Sequence, residues 1–229
     1  MARPMGRTAV GDLALTPSEG RVAPDRTSSS RPDEDVHGHG CGRWSPAYCS
    51  GMQIPGLGQV VEDADLGWYR SEAIPVPVLG GAPCRFIVEG YDADPAPEDF
   101  QAAIRTFLAL DRSALTAAAP SIFAYYRDVM DDVVAAGDDD WYVEIDGPHD
   151  VFDHIRLGNE PTVARDAYGD RHIYVSLECE CDWEPEHGLQ IVFRDGRTVS
   201  KVGPYDGHLT NSAAYADDTL DGVVYRSSR

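Results

Sequence analysis

Apolar and polar positions change period along the chain, and each change marks a different element. "AIPVPVL" (73–79) and "PCRFIVEGY" (83–91) are short extended runs separated by "GGAP", which predicts a hairpin. Pro75 and Pro77 confine its first arm to a sheet edge, because proline has no N–H for a ladder. The period then lengthens in "DADPAPEDFQAAIRTFLAL". Pro97 in the first turn, Glu98 and Asp99 at the positive helix end, and a stripe of Phe100, Ile104, Phe107 and Leu108 predict an amphipathic helix. A second helix follows, with Ile122, Phe123, Tyr126, Met130, Val133 and Val134 at helical spacing. Pro120 starts or kinks it, and Gly137 ends it before the acidic loop Asp138 to Asp140.

Beyond that loop, Trp141, Val143 and Ile145 alternate in "WYVEI" and predict a short strand, and "PHDVFDHIRLG" predicts a short helix between Pro148 and Gly158. The remainder, "PTVAR", "HIYVSLECECDW", "LQIVFR" and "RTVSKVG", predicts a β-meander, with Asp195-Gly196 as its strongest hairpin signal. Strands, helices and strands again imply an α+β fold, a largely antiparallel sheet with a C-terminal meander packed on one face by two main helices.

Residues 1–51 show neither period. They are rich in Arg, Pro, Ser, Gly and Asp, and read as a disordered tail ahead of a single domain at 52–229, with Met52 as a candidate native start. The tail's six arginines balance its six carboxylates, so the whole net charge of −20 falls on residues 52–229, where 33 carboxylates face 13 basic groups. Such a domain repels phosphate backbones, which excludes nucleic acid and anionic membrane as expected partners and favours a basic protein or a cation. The plainer reading of the same charge is a soluble surface. No run of eighteen apolar residues occurs, and Asp12 interrupts the N-terminal "TAVGDLALT", so the chain reads as soluble, unsecreted and cytoplasmic. Its five cysteines, Cys41 and Cys49 in the tail and Cys84, Cys179 and Cys181 in strands, are expected to be reduced.

Candidate chemistry concentrates in "SLECECDWEPEHGLQIVFRDG" (176–196). Strand alternation puts Val175, Leu177, Cys179, Cys181 and Trp183 on one face and Tyr174, Ser176, Glu178, Glu180 and Asp182 on the other. The thiols then ride with the core, as small apolar side chains do. A metal reading recruits Cys179, Cys181, His187 and His208 as a zinc set, against which C-x-C inside a strand converges poorly; His37, His39, Cys41 and Cys49 form a second such set in the tail. The acidic face of Glu178, Glu180 and Asp182 suits either a hard cation or a partner-facing stripe. If the turn "WEPEHG" and the segment "GPYDGHL" share one end of the sheet, Glu186, His187, Asp206 and His208 become candidates for acid/base catalysis. No nucleophile elbow accompanies them. No P-loop, G-x-G-x-x-G, H-E-x-x-H or EF-hand spacing is present, and no cofactor is expected.

Asp182, Trp183, Glu184, Glu186, His187, Gly188 and Leu189, followed by Asp206, Gly207, His208 and Leu209, form a D-W-E-x-E-H-G-L turn and a D-G-H-L segment. In these, and in "DLGWYRSEAIPVPVLGG", the chain resembles an uncharacterised family of bacterial cytosolic proteins grouped under a domain of unknown function, over about residues 52–220. The resemblance implies no activity. By size, acidity and fold class it also invites comparison with immunity proteins of toxin systems. The leading expectation is a non-enzymatic acidic module that binds a basic protein partner, with an immunity-type inhibitor as its narrower form. The alternative is a metal-dependent or acid/base hydrolase-like enzyme using the E-H-G and D-G-H segments.

Overall fold

The computed structural model describes residues 51–227 except Tyr168. The disordered-tail reading, the start at Met52 and the histidines and cysteines between 37 and 49 lie outside the described residues. The chain opens with β1 (Met52–Ile54), β2 (Gly58–Asp63) and β3 (Trp68–Ser71), then the hairpin β4 (Ile74–Val76) and β5 (Ala82–Cys84), then β6 (Ile87–Glu89). Three helices follow: α1 (Pro97–Leu108), α2 (Ser113–Thr116) and α3 (Ala119–Ala136). The chain returns through β7 (Ile155–Arg156), β8 (Thr162–Arg165), β9 (Ile173–Cys181), β10 (Leu189–Arg194) and β11 (Thr198–Gly203), and ends with α4 (Asn211–Tyr215).

The main sheet has the order β1-β2-β3-β6-β8-β9-β10-β11, with β7 also paired to β9. Its pairs are antiparallel except β6 with β8. The two parallel strands are bridged by the connection that carries α1, α2 and α3, as a parallel pair requires. The α+β class and the C-terminal meander are therefore as the periodicity predicts. The predicted hairpin forms only in part: Ile74–Val76 and Ala82–Cys84 make a separate two-stranded sheet in which Pro75 faces Pro83, while Ile87–Glu89 of its second arm joins the main sheet as β6. Neither proline could serve a central ladder.

One face of the main sheet is apolar and carries the helices. Val163, Val175, Leu177, Ile191 and Phe193 lie under α1 and α3 with Phe100, Ile104, Phe107, Ile122 and Tyr126. Phe107 of α1 meets the Phe193 ring edge-on at 5.2 Å. The Asp195-Gly196 turn, with both residues at positive φ, abuts the same helix. A side chain at position 196 would collide with the Ala103 carbonyl oxygen, so glycine is needed there for both the turn and the contact.

Two expectations fail locally. "WYVEI" forms no strand, and its Trp141 closes a 3-10 turn. The following backbone is satisfied by α3 instead: Tyr126 donates its hydroxyl to Val143 O (2.7 Å) and accepts from Ile145 N (3.1 Å). With those groups paired, the segment needs no strand neighbour. "PHDVFDHIRLG" forms only a 3-10 turn at Val151–His154, because Ile155 and Arg156 join β9 opposite Cys181 and Glu180. The N-terminal strands β1 to β3 show little periodicity because they bury few side chains, Ile54, Val60, Tyr69 and Ser71 among them. Among the described residues no helix is long and apolar enough to cross a membrane.

The parallel junction is fastened by Arg165 at the end of β8. Its Nε and Nη2 grip Asp94 at 2.7 and 2.9 Å, Nη2 also reaches Asp99 Oδ2 (2.9 Å), and Nη1 donates to Arg171 O (2.6 Å). The guanidinium also stands over the Phe100 ring of α1. The Arg165 hydrogen bonds hold the Asp94 carboxyl below the usual carboxylate range. Removing one partner of so buried a pair strands the other charge, so Arg165→Ala is expected to cost about 3–5 kcal/mol in urea unfolding. Because the folded pKa of Asp94 is depressed, its contribution is complete above the unfolded value of about 3.9 and is lost as pH falls through the folded value. Asp94→Asn should accordingly be less stable than the parent at neutral pH and should lose less stability on acidification, as chemical unfolding across that range would show.

Candidate functional site

The β9–β10 turn is built from the residues that drew attention in the sequence. Trp183, 3 % exposed, is met edge-on by Tyr125 and Tyr126 of α3 at 6.2 and 5.8 Å. Tyr125 also donates its hydroxyl to Gly188 O (3.1 Å). Glu184 organises the loop itself: its Oε1 accepts from the N–H groups of Glu186 (3.0 Å) and His187 (3.2 Å), and its carbonyl accepts from Gly188 N (2.9 Å). Gly188 has φ 63° and lies against the Cys179 carbonyl, where a side chain would not fit. Leu189 is fully buried. The turn is thus tied to α3 on one side and braced internally on the other, which leaves Glu186 and His187 exposed at its tip.

The D-G-H-L segment serves Lys201, the only lysine in the chain. Lys201 is 1 % exposed on the helix-free face of the sheet. Its Nζ donates to Gln190 Oε1 (2.8 Å), to His208 O (2.9 Å) and to the Asp206 carboxylate. Gln190 passes the network on to Ser176 Oγ at 3.0 Å. Burial lowers the Lys201 pKa while Asp206 opposes that shift. Asp206 Oδ1 also accepts from His208 N (2.8 Å), so the carboxylate shapes the loop that covers the lysine.

The two segments do meet, since Tyr205 N donates to His187 O at 3.2 Å. The four acid/base candidates nevertheless do not converge. Glu186 and His187 line a cavity of about 670 Å³ between the β7–β8 connection and the turn. His208 lines a second cavity, of about 600 Å³, on the helix-free face, and Asp206 is held by Lys201. The zinc candidates are likewise separated. Cys179 and Cys181 are buried on the helix side, as the alternation predicts, whereas His187 lies 3.6 Å from Glu184 at the exposed tip. Among the described residues no group of three or more His, Cys, Asp and Glu side chains is placed to hold a metal ion.

The predicted acidic stripe is present but partly neutralised across the sheet. Arg156 on β7 bonds Glu180 (2.7 Å) and approaches Asp182 (3.5 Å), and His154 Nδ1 lies 3.1 Å from Asp182. Glu178 is exposed and lines both cavities. These partners are not legible in the sequence, because the periodicity of this segment predicts a helix where the chain forms a 3-10 turn ending at His154 and the short strand β7. A second pair, His172 Nδ1 with Asp195 at 2.9 Å, joins the residue before β9 to the residue after β10 at one end of the ladder, and its 23-residue separation hides it from motif reading.

The profile of a family described as a domain of unknown function, DUF6985, matches residues 56–209. The chain belongs to this family. No curated protein and no solved structure matches it. The DUF6985 region runs from the β1–β2 turn to Leu209 and so takes in both braced turns and both cavities' strand walls. It stops before α4 and the segment that returns to β11, where Val202 N donates to Val224 O at 2.7 Å.

Burial pushes the thiols of Cys179 and Cys181 up to about 12. Thiolate is the reactive form, so neither cysteine offers a nucleophile near neutral pH. Peptide-resolved alkylation with iodoacetamide at about pH 8 should leave Cys84, Cys179 and Cys181 unmodified in the native protein and label all three after unfolding. Rapid native labelling of Cys181 would show that the turn opens.

Proposed function

We propose that this domain is a non-enzymatic binding module that captures a basic protein partner through the cavity beside the β9–β10 turn. The observation that carries the reading is the lining of that cavity: Glu160, Glu178, Glu180, Glu184 and Glu186 stand against Arg156 and His187 as the only basic side chains. Arg156 is already engaged by Glu180 and Asp182. The opening therefore presents net negative charge, on a domain whose carboxylates outnumber its basic groups 33 to 13. A guanidinium or ammonium group from a partner finds acceptors there, and an anion meets a surplus of like charge. The buried thiols supply no nucleophile, which favours binding over covalent catalysis. An immunity-type role, with a basic toxin domain as the partner, fits the same charge and would use the same cavity.

Charge complementarity of this kind governs encounter rate and is screened by salt. Titration of a fluorescent arginine-rich peptide should show saturable binding that weakens about tenfold or more between about 50 mM and about 500 mM salt. Glu178→Arg and Glu186→Arg, both at exposed positions, should each slow association several-fold. Affinity indifferent to both substitutions would sink the reading.

A further inference from the structure

The second cavity differs in chemistry from the first. It lies over the helix-free face of β3, β6, β8, β9 and β10, bordered by Tyr205, Gly207, His208, Leu209 and Ala213 of the C-terminal segment. Its volume of about 600 Å³ falls within the range usual for small-molecule sites, about 300–1,000 Å³. Ile87, Ala164 and Leu209 supply apolar wall, and Trp68 and Tyr205 supply aromatic surface.

Trp68 and Glu89 are direct partners in the β3–β6 ladder, so their side chains leave the sheet side by side on this face. The Glu89 carboxylate is half-buried, and among the described residues it makes no hydrogen bond or ion pair. Burial raises its pKa, the mark of a carboxylate that has lost water without gaining a partner. The nearby cations are already committed: Arg165 to Asp94 and Asp99, Lys201 to Asp206, and Arg70 to Glu160. Ser176, 6 % exposed on the cavity floor, accepts from Gln190, and its own hydroxyl hydrogen has no acceptor among the described residues.

We propose that this cavity binds a small organic cation, an alkylated ammonium group carrying an oxygen acceptor, with the charge set between the Trp68 ring and the Glu89 carboxylate and the oxygen met by Ser176. An aromatic face and a carboxylate together attract such a group, because the ring quadrupole adds to the ionic term without demanding the hydration of a small metal ion. Apolar walls suit its methyl or methylene groups. A phosphate or carboxylate ligand is disfavoured, since the basic side chains on the wall, Arg165 and His208, already face Asp94, Asp99 and Asp206. The site shares Glu160 and Glu178 with the acidic cavity but depends on Trp68 and Glu89, which line only the second of the two, and so it does not rest on the protein-partner reading.

The test is isothermal titration of the full chain with choline, with tetramethylammonium as the probe lacking the oxygen. Choline should bind saturably and tetramethylammonium more weakly. Glu89→Gln and Trp68→Leu should each weaken choline binding about tenfold or more, while Asp138→Asn, at an exposed position outside both cavities, leaves it unchanged; thermal unfolding verifies that each variant is folded. Choline binding that persists in excess arginine-rich peptide assigns the site to a free small molecule. No saturable heat from choline, or equal affinity in the parent and folded Glu89→Gln, overturns it.

Discussion

The pairing of β6 with β8 is the constraint on which the rest of the molecule depends. It joins an N-terminal group of strands to the C-terminal meander, yet its register consists of Ile87 with Thr162 and Val88 with Val163. So short a parallel contact is weak by itself. It is extended by Arg85 N to Asn159 O and Ile87 N to Pro161 O, and it is locked by Arg165, which ties β8 to the loop leading into α1. Because that loop begins the connection that carries the helices, the same arginine sets where α1 meets the sheet. Phe100 and Phe107 then reach β9 and β10, and the core closes around them.

The two faces of the sheet do different work. The helix side is continuous and apolar, and it absorbs the cysteines and Trp183 into packing. The opposite side carries Ser176, Gln190 and Lys201 in a line across β9, β10 and β11, and a buried ammonium there is tolerable only because all three of its donors are used. Asp206 and the His208 carbonyl come from a loop that has no regular structure of its own. The lysine therefore fixes the loop, and the loop forms one wall of the Trp68–Glu89 cavity. Structural demand accounts for Glu184, Lys201 and Asp206, and it leaves Glu186 and His187 at the turn tip and Glu178 on β9 facing solvent.

Charge on this domain is best understood as what remains after internal pairing. Arg156, Arg165, Arg70 and Lys201 are each committed to carboxylates, so the carboxylates left over outweigh the cations at both cavities. One cavity is open and lined by glutamates, which suits the basic side chains of a macromolecule. The other is aromatic and largely apolar, with the half-buried Glu89 carboxylate beside Trp68, which suits a smaller and softer cation. Both readings follow from the same scarcity of uncommitted positive charge.

Much of the fold was legible before any coordinates. The helical stripes of α1 and α3, the alternation in β9 and the Asp195-Gly196 turn are local patterns, and local periodicity reports which face is buried whatever it is buried against. The inward direction of Cys179 and Cys181 followed from that alone. What the sequence could not determine was pairing between distant positions. Tyr126 satisfying the backbone of 143–145, Arg156 neutralising Glu180, Arg165 holding Asp94 and Asp206 answering Lys201 all depend on how strands and loops align in space. The site belongs to this second class: whether Glu186 and His208 share a cavity, and whether Glu89 has a partner, are settled by tertiary neighbours, because a charge's role depends on what stands opposite it and not on what precedes it in the chain.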